Sequence, residues 1–359
     1  MPLEPDSLTE LQDAVRSHPF VIPVGAGTKP ALSAVPESYL RIGLTRLTGI
    51  VEYDPSEFTI TVLAGTPVSE VQATLARHGQ HLPFDPPLAA KGATIGGTVA
   101  AGLSGPGAFR FGPLRDFLIG VRFVDGEGRL LTGGGKVVKN AAGFDLPKFL
   151  IGSAGRLGIL VELTFKVFPQ PEASATFAVA MPGDLRQVTQ WIGRFSRSPH
   201  DLEALEFEPH ENILWGRLAG NRSALKPRLQ RIEQDFGLQG NFVHCDPDEA
   251  AFFWNRQLDF AWAEPDRWLV KIPITPDQIE TLDPLLARPG ISRRYGMGGN
   301  VAWVAGVAEQ IAALNVKTDQ CLMLRLPEEG NRNISCGSCG PVKGALKSAF
   351  DPEGRFPNW

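Results

Sequence analysis

The 359-residue sequence predicts an α+β protein of two domains, and three features carry that reading. A chain of this length exceeds what one hydrophobic core usually organises. Its strand and helix rhythm changes at Pro169 and Pro171, where the first domain is expected to end. Beyond those prolines a βαββαβ order is read twice, as in ferredoxin-like units on an antiparallel sheet.

Ser7-Leu-Thr-Glu10 has the form of a capping box, and Leu8, Leu11 and Val15 follow at helical spacing. Phe20–Val24 predicts a strand that runs into Gly25-Ala-Gly27. Leu40–Ile42 and Gly49–Tyr53 predict two more, with a turn at Asp54-Pro55. Phe58, Ile60 and Val62 alternate with threonines, the pattern of a half-buried strand. Thr66-Pro67 reads as the cap and start of a helix carrying Val68, Val71 and Leu75, which Gly79 stops. From Lys91 to Gly112 the chain is small and flexible in composition, with no predicted element. Leu118–Val124 and Leu130–Thr132 predict a hairpin around Asp125-Gly-Glu-Gly128, and Gly158–Phe168 a further strand.

In the second half, Thr176–Met181 predicts a strand, and Leu185, Val188, Trp191, Ile192 and Phe195 form a helical stripe. Strands at Ala204–Glu208 and Ile213–Leu218 precede a helix with Leu225, Leu229, Ile232 and Phe236, stopped by Gly237. The order recurs as strand Trp268–Ile274, helix Asp277–Ala287, strands near Ser292 and Val301, helix Ala308–Leu314 and strand Cys321–Leu326. Trp254 and Trp262 flank Phe252, Phe253 and Phe260, an aromatic segment read as core, with a docking surface for a partner subunit as the alternative.

Composition narrows the function classes. Apolar residues at 43%, charged residues at 21% and a net charge of -4 describe a soluble globular protein without a basic nucleic-acid surface. Met1–Glu10 lacks the cationic and apolar stretches of a signal peptide, and no apolar run is long enough to span a membrane. The expected location is cytoplasmic, with attachment at the inner membrane through a complex as the alternative. Four cysteines do not make a disulfide framework, and 39 glycines concentrate between Gly92 and Gly158.

Three glycine clusters carry the chemistry. Pro23-Val-Gly25-Ala-Gly27-Thr28 follows a strand, and its backbone N–H groups and threonine hydroxyl could approach a phosphate. The Rossmann pattern fails at Pro30, and a Walker A pattern fails where Gly135-Lys136 is followed by Val137. Alone, this loop reads better as a tight turn. His81-Leu-Pro-Phe-Asp-Pro-Pro87 then leads to Gly92-Ala-Thr-Ile-Gly-Gly97, a second backbone cradle, and to Ala100-Ala-Gly102. Lys139-Asn-Ala-Ala-Gly-Phe-Asp145 precedes Gly152-Ser-Ala-Gly-Arg-Leu-Gly-Ile159. Three such clusters are hard to explain as independent turns.

In order and spacing, these motifs resemble the FAD-binding domain of the p-cresol methylhydroxylase and vanillyl-alcohol oxidase type, over roughly residues 15–170. Gly79-Gln-His-Leu-Pro-Phe-Asp-Pro-Pro87, Ala100-Ala-Gly-Leu-Ser-Gly-Pro106, Arg115-Asp116, Val137–Asp145 and Phe350-Asp-Pro-Glu-Gly354 resemble, more narrowly, the GlcE-type FAD-binding subunits of glycolate oxidases. The resemblance implies an FAD domain of two α+β subdomains over 1–170, an α+β cap domain over 171–340, and a tail over 341–359 that returns to the FAD domain. It implies that Val24, Gly25, Ala26, Gly27 and Thr28 hold the pyrophosphate. Pro86, Pro87, Thr94, Gly96 and Gly97 would line the dinucleotide path, and Gly102 would approach the ring system. Gly155, Gly158 and Ile159 would meet the flavin or adenine end. With no His or Cys near the first loop, the FAD is expected to be noncovalent.

The implied function is the FAD-binding subunit of a multi-subunit glycolate (2-hydroxy acid) oxidase, passing electrons beside a catalytic flavin subunit and an iron–sulfur subunit. A stand-alone FAD oxidoreductase of another small hydroxylated substrate and a scaffold with structural FAD are the alternatives. The histidine-rich motif of hydroxy-acid-oxidising relatives is missing, since the histidines end at His244. Arg110, Arg115, Lys136 and Lys139 are candidates for binding a substrate carboxylate or reduced flavin at N1, against a structural Arg115–Asp116 ion pair. No metal site is expected: His78 and His81 read as an exposed helix end, and Cys336 and Cys339 as free thiols. Arg293, Arg294 and Tyr295 read as a solvated loop rather than flavin-facing groups.

Overall fold

The computed structural model describes residues 2–135, 145–313, 321–326 and 341–359. They form two compact units. The first gathers the described residues of 2–104, 113–170 and 341–359, and the second those of 105–112 and 171–326.

The first unit opens with α1 (Leu8–Ser17), whose first turn is closed by Ser7 Oγ accepting the Glu10 N–H at 3.2 Å. The Glu10 carboxylate reaches back to the Asp6 N–H at 2.8 Å. Next come β1 (Val21–Val24), β2 (Leu40–Gly43), β3 (Ile50–Asp54), β4 (Thr59–Leu63), α2 (Val68–Ala76), β5 (Gln80–His81) and α3 (Ile95–Ala101). The short α4 (Ala108–Phe111) belongs to the second unit. The first unit resumes with β6 (Leu118–Val124), β7 (Leu130–Gly134), α5 (Leu146–Leu150), β8 (Ile159–Lys166) and β9 (Phe168–Pro169). β1 and β2 pair in parallel, and an antiparallel sheet runs β3-β4-β8-β6-β7. Leu11 and Val15 of α1 pack with Val21, Ile42, Val124, Ile159 and the distant Phe356.

In the second unit, β10 (Ala173–Ala180), α6 (Leu185–Ser196), β11 (Ala204–Glu208), β12 (Ile213–Gly220), α7 (Arg222–Phe236) and β13 (Phe242–His244) complete one βαββαβ unit. After α8 (Pro247–Leu258), the order returns with β14 (Trp268–Pro273), α9 (Ile279–Leu286), β15 (Ser292–Gly296), β16 (Val301–Gly306), α10 (Ala308–Ala312) and β17 (Leu322–Arg325). The two repeats share one eight-stranded sheet, β13-β10-β12-β11-β15-β16-β14-β17, joined where Phe207 pairs with Tyr295. Val188, Ile192 and Phe195 of α6, Leu229 and Ile232 of α7, and Ile279 of α9 bury one face of that sheet. Phe253 and Trp254 of α8 cover part of the other against Ala178, Ala204 and Trp215. The α+β class and the doubled antiparallel unit are therefore as the sequence predicts. α11 (Pro341–Phe350) returns the chain to the first unit.

Several local expectations are corrected. β4 is buried on both faces, because it lies inside its sheet and Thr61 Oγ1 meets Thr164 Oγ1 at 3.0 Å; Phe58 lies outside the strand in a turn with φ +53°. Thr66 does not cap α2; its hydroxyl bonds Gly49 instead. The stretch 91–112 contains α3 and α4, since Thr94 supplies a side-chain cap that offsets the low helix propensity of glycine. His81 is a part-buried strand residue whose Nδ1 lies 3.3 Å from Phe168 O, while His78 is exposed as expected. Arg293, Arg294 and Tyr295 form β15 rather than a solvated loop. The two arginines pair with Asp283 and Glu208, and the Tyr295 hydroxyl donates to Asp283 at 2.9 Å. In the aromatic segment Phe253, Trp254, Phe260 and Trp262 are buried, and Phe252 is exposed. Lys136, Lys139, Leu314, Cys336 and Cys339 lie outside the described residues.

Candidate functional site

β1 delivers the chain to a loop at residues 25–29. Its last residue, Val24, pairs with Gly43, and Val24 O accepts the Leu44 N–H at 2.9 Å. Pro30 then fixes the backbone for a short 3₁₀ turn, Pro30–Ser33. Between strand and turn, the N–H groups of Gly25, Ala26, Gly27 and Thr28 meet no acceptor among the described residues. Gly27 has φ +71°, a conformation glycine adopts without strain, and the space where a Cβ would stand is open.

Two further segments wall the same space. One is the start of α3, where Gly25 lies so close to Thr94 that a Cβ would strike Thr94 Oγ1. The other is the loop 152–158. There Gly155 has φ +75° and packs on Pro23, with a Cβ placed 2.6 Å from Pro23 Cγ. Together they enclose a cleft of about 690 Å³, its open part included.

The cleft brings together Val24, Gly25, Ala26, Gly27, Thr28, Thr94, Gly96, Gly97, Gly155 and Gly158 of the expected residues. Pro86 and Pro87 are buried outside its lining. Gly102 closes α3 in a left-handed conformation and approaches the backbone of Gly152. Ile159 is a core residue of β8, fully buried. The glycine pair of α3 is not a free cradle of donors. Gly96 N–H donates to Ala64 O at 2.8 Å and Gly97 N–H to Thr94 Oγ1 at 3.2 Å. Their absent side chains serve close approach: a Cβ on Gly96 would strike Ala64, and one on Gly97 would project toward Lys29.

Lys29 is the residue that sequence reasoning missed. It is 8% exposed, lines the cleft, and donates to Thr28 Oγ1 at 3.0 Å. Among the described residues no carboxylate stands within ion-pair reach of it. Burial alone lowers its pKa from 10.5 to about 8, so the ammonium remains mainly charged at neutral pH. A buried cation without a counter-charge is costly, and beside it stand four N–H donors, exposed or half-buried, that meet no acceptor among the described residues. That donor set suits a phosphate or diphosphate: hydrogen bonds from the loop and one point charge from Lys29. A signal was available in the sequence, because Lys29 directly follows the Gly-Ala-Gly-Thr loop. Ser153 Oγ, beside cleft-lining Ala154, is also buried without a partner among the described residues.

Of the candidate cations, the described Arg110 and Arg115 are not among the cleft-lining residues. Arg110 pairs with Asp201 at 2.7 Å within the second unit. Arg115 and Asp116 are exposed in a 3₁₀ turn and form no ion pair with each other. Lys29 is the one titratable side chain among the described cleft-lining residues, which include neither His nor Cys. No cluster of potential metal ligands occurs among the described residues, and no described helix is long and apolar enough to cross a membrane.

Comparison with known proteins agrees with this geometry. A family model described as an FAD binding domain matches residues 3–134, which contain the loop, Lys29 and α3. The glycolate oxidase subunit GlcE of Escherichia coli is 33% identical over 265 residues, covering 73% of this chain and 69% of that protein. A D-2-hydroxyglutarate dehydrogenase of Xanthomonas citri is 33% identical over 209 residues, covering 56% of this chain and 43% of the enzyme, so the chain spans less than half of that relative. Among solved structures, an alkyldihydroxyacetonephosphate synthase aligns with 98% of this chain and 74% of its own at a TM-score of 0.68 and 17% identity, a likeness of fold. The chain belongs to the family of FAD-binding oxidoreductases that includes the glycolate oxidase subunit GlcE.

Proposed function

We propose that the chain is the FAD-holding subunit of a multi-subunit glycolate (2-hydroxy acid) oxidase and passes electrons between its partners. The observation that carries this reading is the meeting of four unaccepted loop N–H groups with the unpaired ammonium of Lys29. Gly25, Ala26, Gly27 and Thr28 donate to the pyrophosphate, and Lys29 balances its charge. Thr94, Gly97, Gly155 and Gly158 keep the walls thin enough for the dinucleotide to lie against backbone. The FAD domain is the first unit, residues up to 104 and 113–170 with the tail 341–359, and the second domain is 105–112 with the described residues of 171–326. When bound, FAD accepts the two electrons of an alcohol oxidation and can release them singly.

The attachment is noncovalent, since no nucleophilic His or Cys is among the described cleft-lining residues. The same lining offers no His or carboxylate to take the proton of a hydroxy acid. Proton abstraction from glycolate therefore falls to a catalytic flavin subunit, with an iron–sulfur subunit as the electron partner.

Anaerobic addition of glycolate to the FAD-loaded chain tests this. The visible flavin band should persist with glycolate alone and bleach once the partner subunits are present. Bleaching with glycolate alone would assign the oxidation to this chain. A band that persists even in the assembled complex would make the FAD structural.

A further inference from the structure

No described residue of the C-terminal segment lines the cleft, yet its bonds reach the loop that forms one cleft wall. α11 places Lys347 against the loop that forms one cleft wall. Lys347 Nζ donates to Arg156 O at 2.9 Å, to Asp351 Oδ2 at 2.6 Å, to Phe356 O at 2.8 Å and to Pro357 O at 3.2 Å. Its charge is balanced by Asp351, whose side chain is fully buried and also accepts the N–H groups of Arg355 at 2.8 Å and Phe356 at 2.9 Å. These bonds fix the last residues into a tight knot, with Lys347 at its centre.

Arg156 carries that knot to the cleft. Its Nη1 donates to Ala154 O at 2.7 Å and to Leu32 O at 3.1 Å. Ala154 and Leu32 both line the cleft, one in the loop after α5, the other in the turn after Lys29. Ala154 also sits at φ +49°, an unfavourable conformation for a residue with a Cβ, and holds it through its N–H bond to Ala100 O at 2.8 Å and the Arg156 bond to its carbonyl. One guanidinium therefore ties two walls together, and its own backbone is anchored from the end of the chain.

We propose that Lys347 is a positioning residue for the cofactor: through Arg156 it sets the spacing of the Leu32 and Ala154 walls, so that the C-terminal segment acts as a latch on the FAD cleft. The proposal rests on the FAD reading above. It goes beyond that reading by assigning cofactor affinity to residues outside the cleft lining.

A control lies in the same segment. Arg355 Nη1 donates to the carbonyls of Val15, Arg16 and His18 at the end of α1, and not to Arg156. Arg355→Met therefore removes three hydrogen bonds between the same segment and the end of α1, together with the ion pair to Glu353, but leaves the knot around Lys347 and the cleft walls tied. The experiment measures FAD dissociation constants and apo-protein unfolding temperatures for wild type, Lys347→Met, Arg156→Met, the double variant and Arg355→Met. Hydrogen exchange at the amides of 153–157 is followed in the apo proteins.

Lys347→Met and Arg156→Met should each weaken FAD binding about tenfold, the scale of one lost hydrogen bond to a charged group. The double variant should be little worse than either single, because both act on one path. Arg355→Met should lower the unfolding temperature with FAD affinity unchanged, and only the first two should speed exchange at 153–157. Equal loss of affinity in Arg355→Met, or additive losses in the double variant, would overturn the latch. If Lys347→Met does not fold, Arg156→Met against Arg355→Met decides alone. Failure of the wild type to bind FAD would instead refute the cofactor reading.

Discussion

Lys29 concentrates the physical argument at the scale of a residue. Its ammonium is buried, has no acidic partner among the described residues, and has a pKa lowered from 10.5 to about 8. Above about 8 the folded apo protein gives up this proton while the unfolded chain still holds it, so the burial penalty fades and stability rises toward 10.5. Binding has the opposite sign. An anion favours the charged form and raises its pKa, so affinity is steady below pH 8 and falls as pH rises above it. FAD titrations from roughly pH 6.5 to 10 should show that decline in the wild type. Lys29→Met should bind at least about tenfold more weakly at neutral pH, by loss of one charge-assisted contact, and should lose the pH dependence. An unaltered pH profile in Lys29→Met would place the titrating group elsewhere. The glycine loop was legible before the structure because turn chemistry is local. Lys29 was legible only as the residue that follows this loop; its isolation was not, because it depends on the distant walls at Thr94 and Ala154.

At the scale of elements, local pattern read well wherever one face decides the fold. The stripe of α6 is such a case. β4 misled because its threonines look solvent-facing, yet Thr61 is buried and finds a hydroxyl partner on β8. α3 was missed because Gly96 and Gly97 argue against a helix, whereas its start is capped by Thr94 and held by Ala64 and Thr66 from other segments. The helical face of the second unit gives an element-scale prediction. Phe195 of α6 is 1% exposed and stacks on Phe236 at 4.2 Å between ring centres. Phe195→Ala should cost about 3–5 kcal/mol, read as a lower denaturant midpoint of the second unit. FAD affinity should be unchanged, because every residue lining the cleft belongs to the first unit.

At the scale of the whole molecule, the first unit draws on both ends of the chain. Phe356 shares a core with Leu11 and Val21, and Arg355 O accepts the Val21 N–H at 2.8 Å where β1 begins. The doubled βαββαβ order was readable because each repeat carries its own helix stripe and stop. The reach of the C-terminal segment into the first unit followed only from resemblance, since nothing local in Phe350–Gly354 names its neighbours. The site was readable as three glycine clusters, but periodicity could not tell residues that line the cleft from those such as Ile159 that pack behind it.

The central claim is that the loop amides of Gly25, Ala26, Gly27 and Thr28 hold the FAD pyrophosphate. Backbone amide NMR of the isotope-labelled apo chain, titrated with FAD, tests it most directly. The account predicts that these four resonances move together, saturate with one FAD per chain and exchange more slowly with solvent when FAD is bound. Binding of FAD that leaves these amides unmoved would contradict the account.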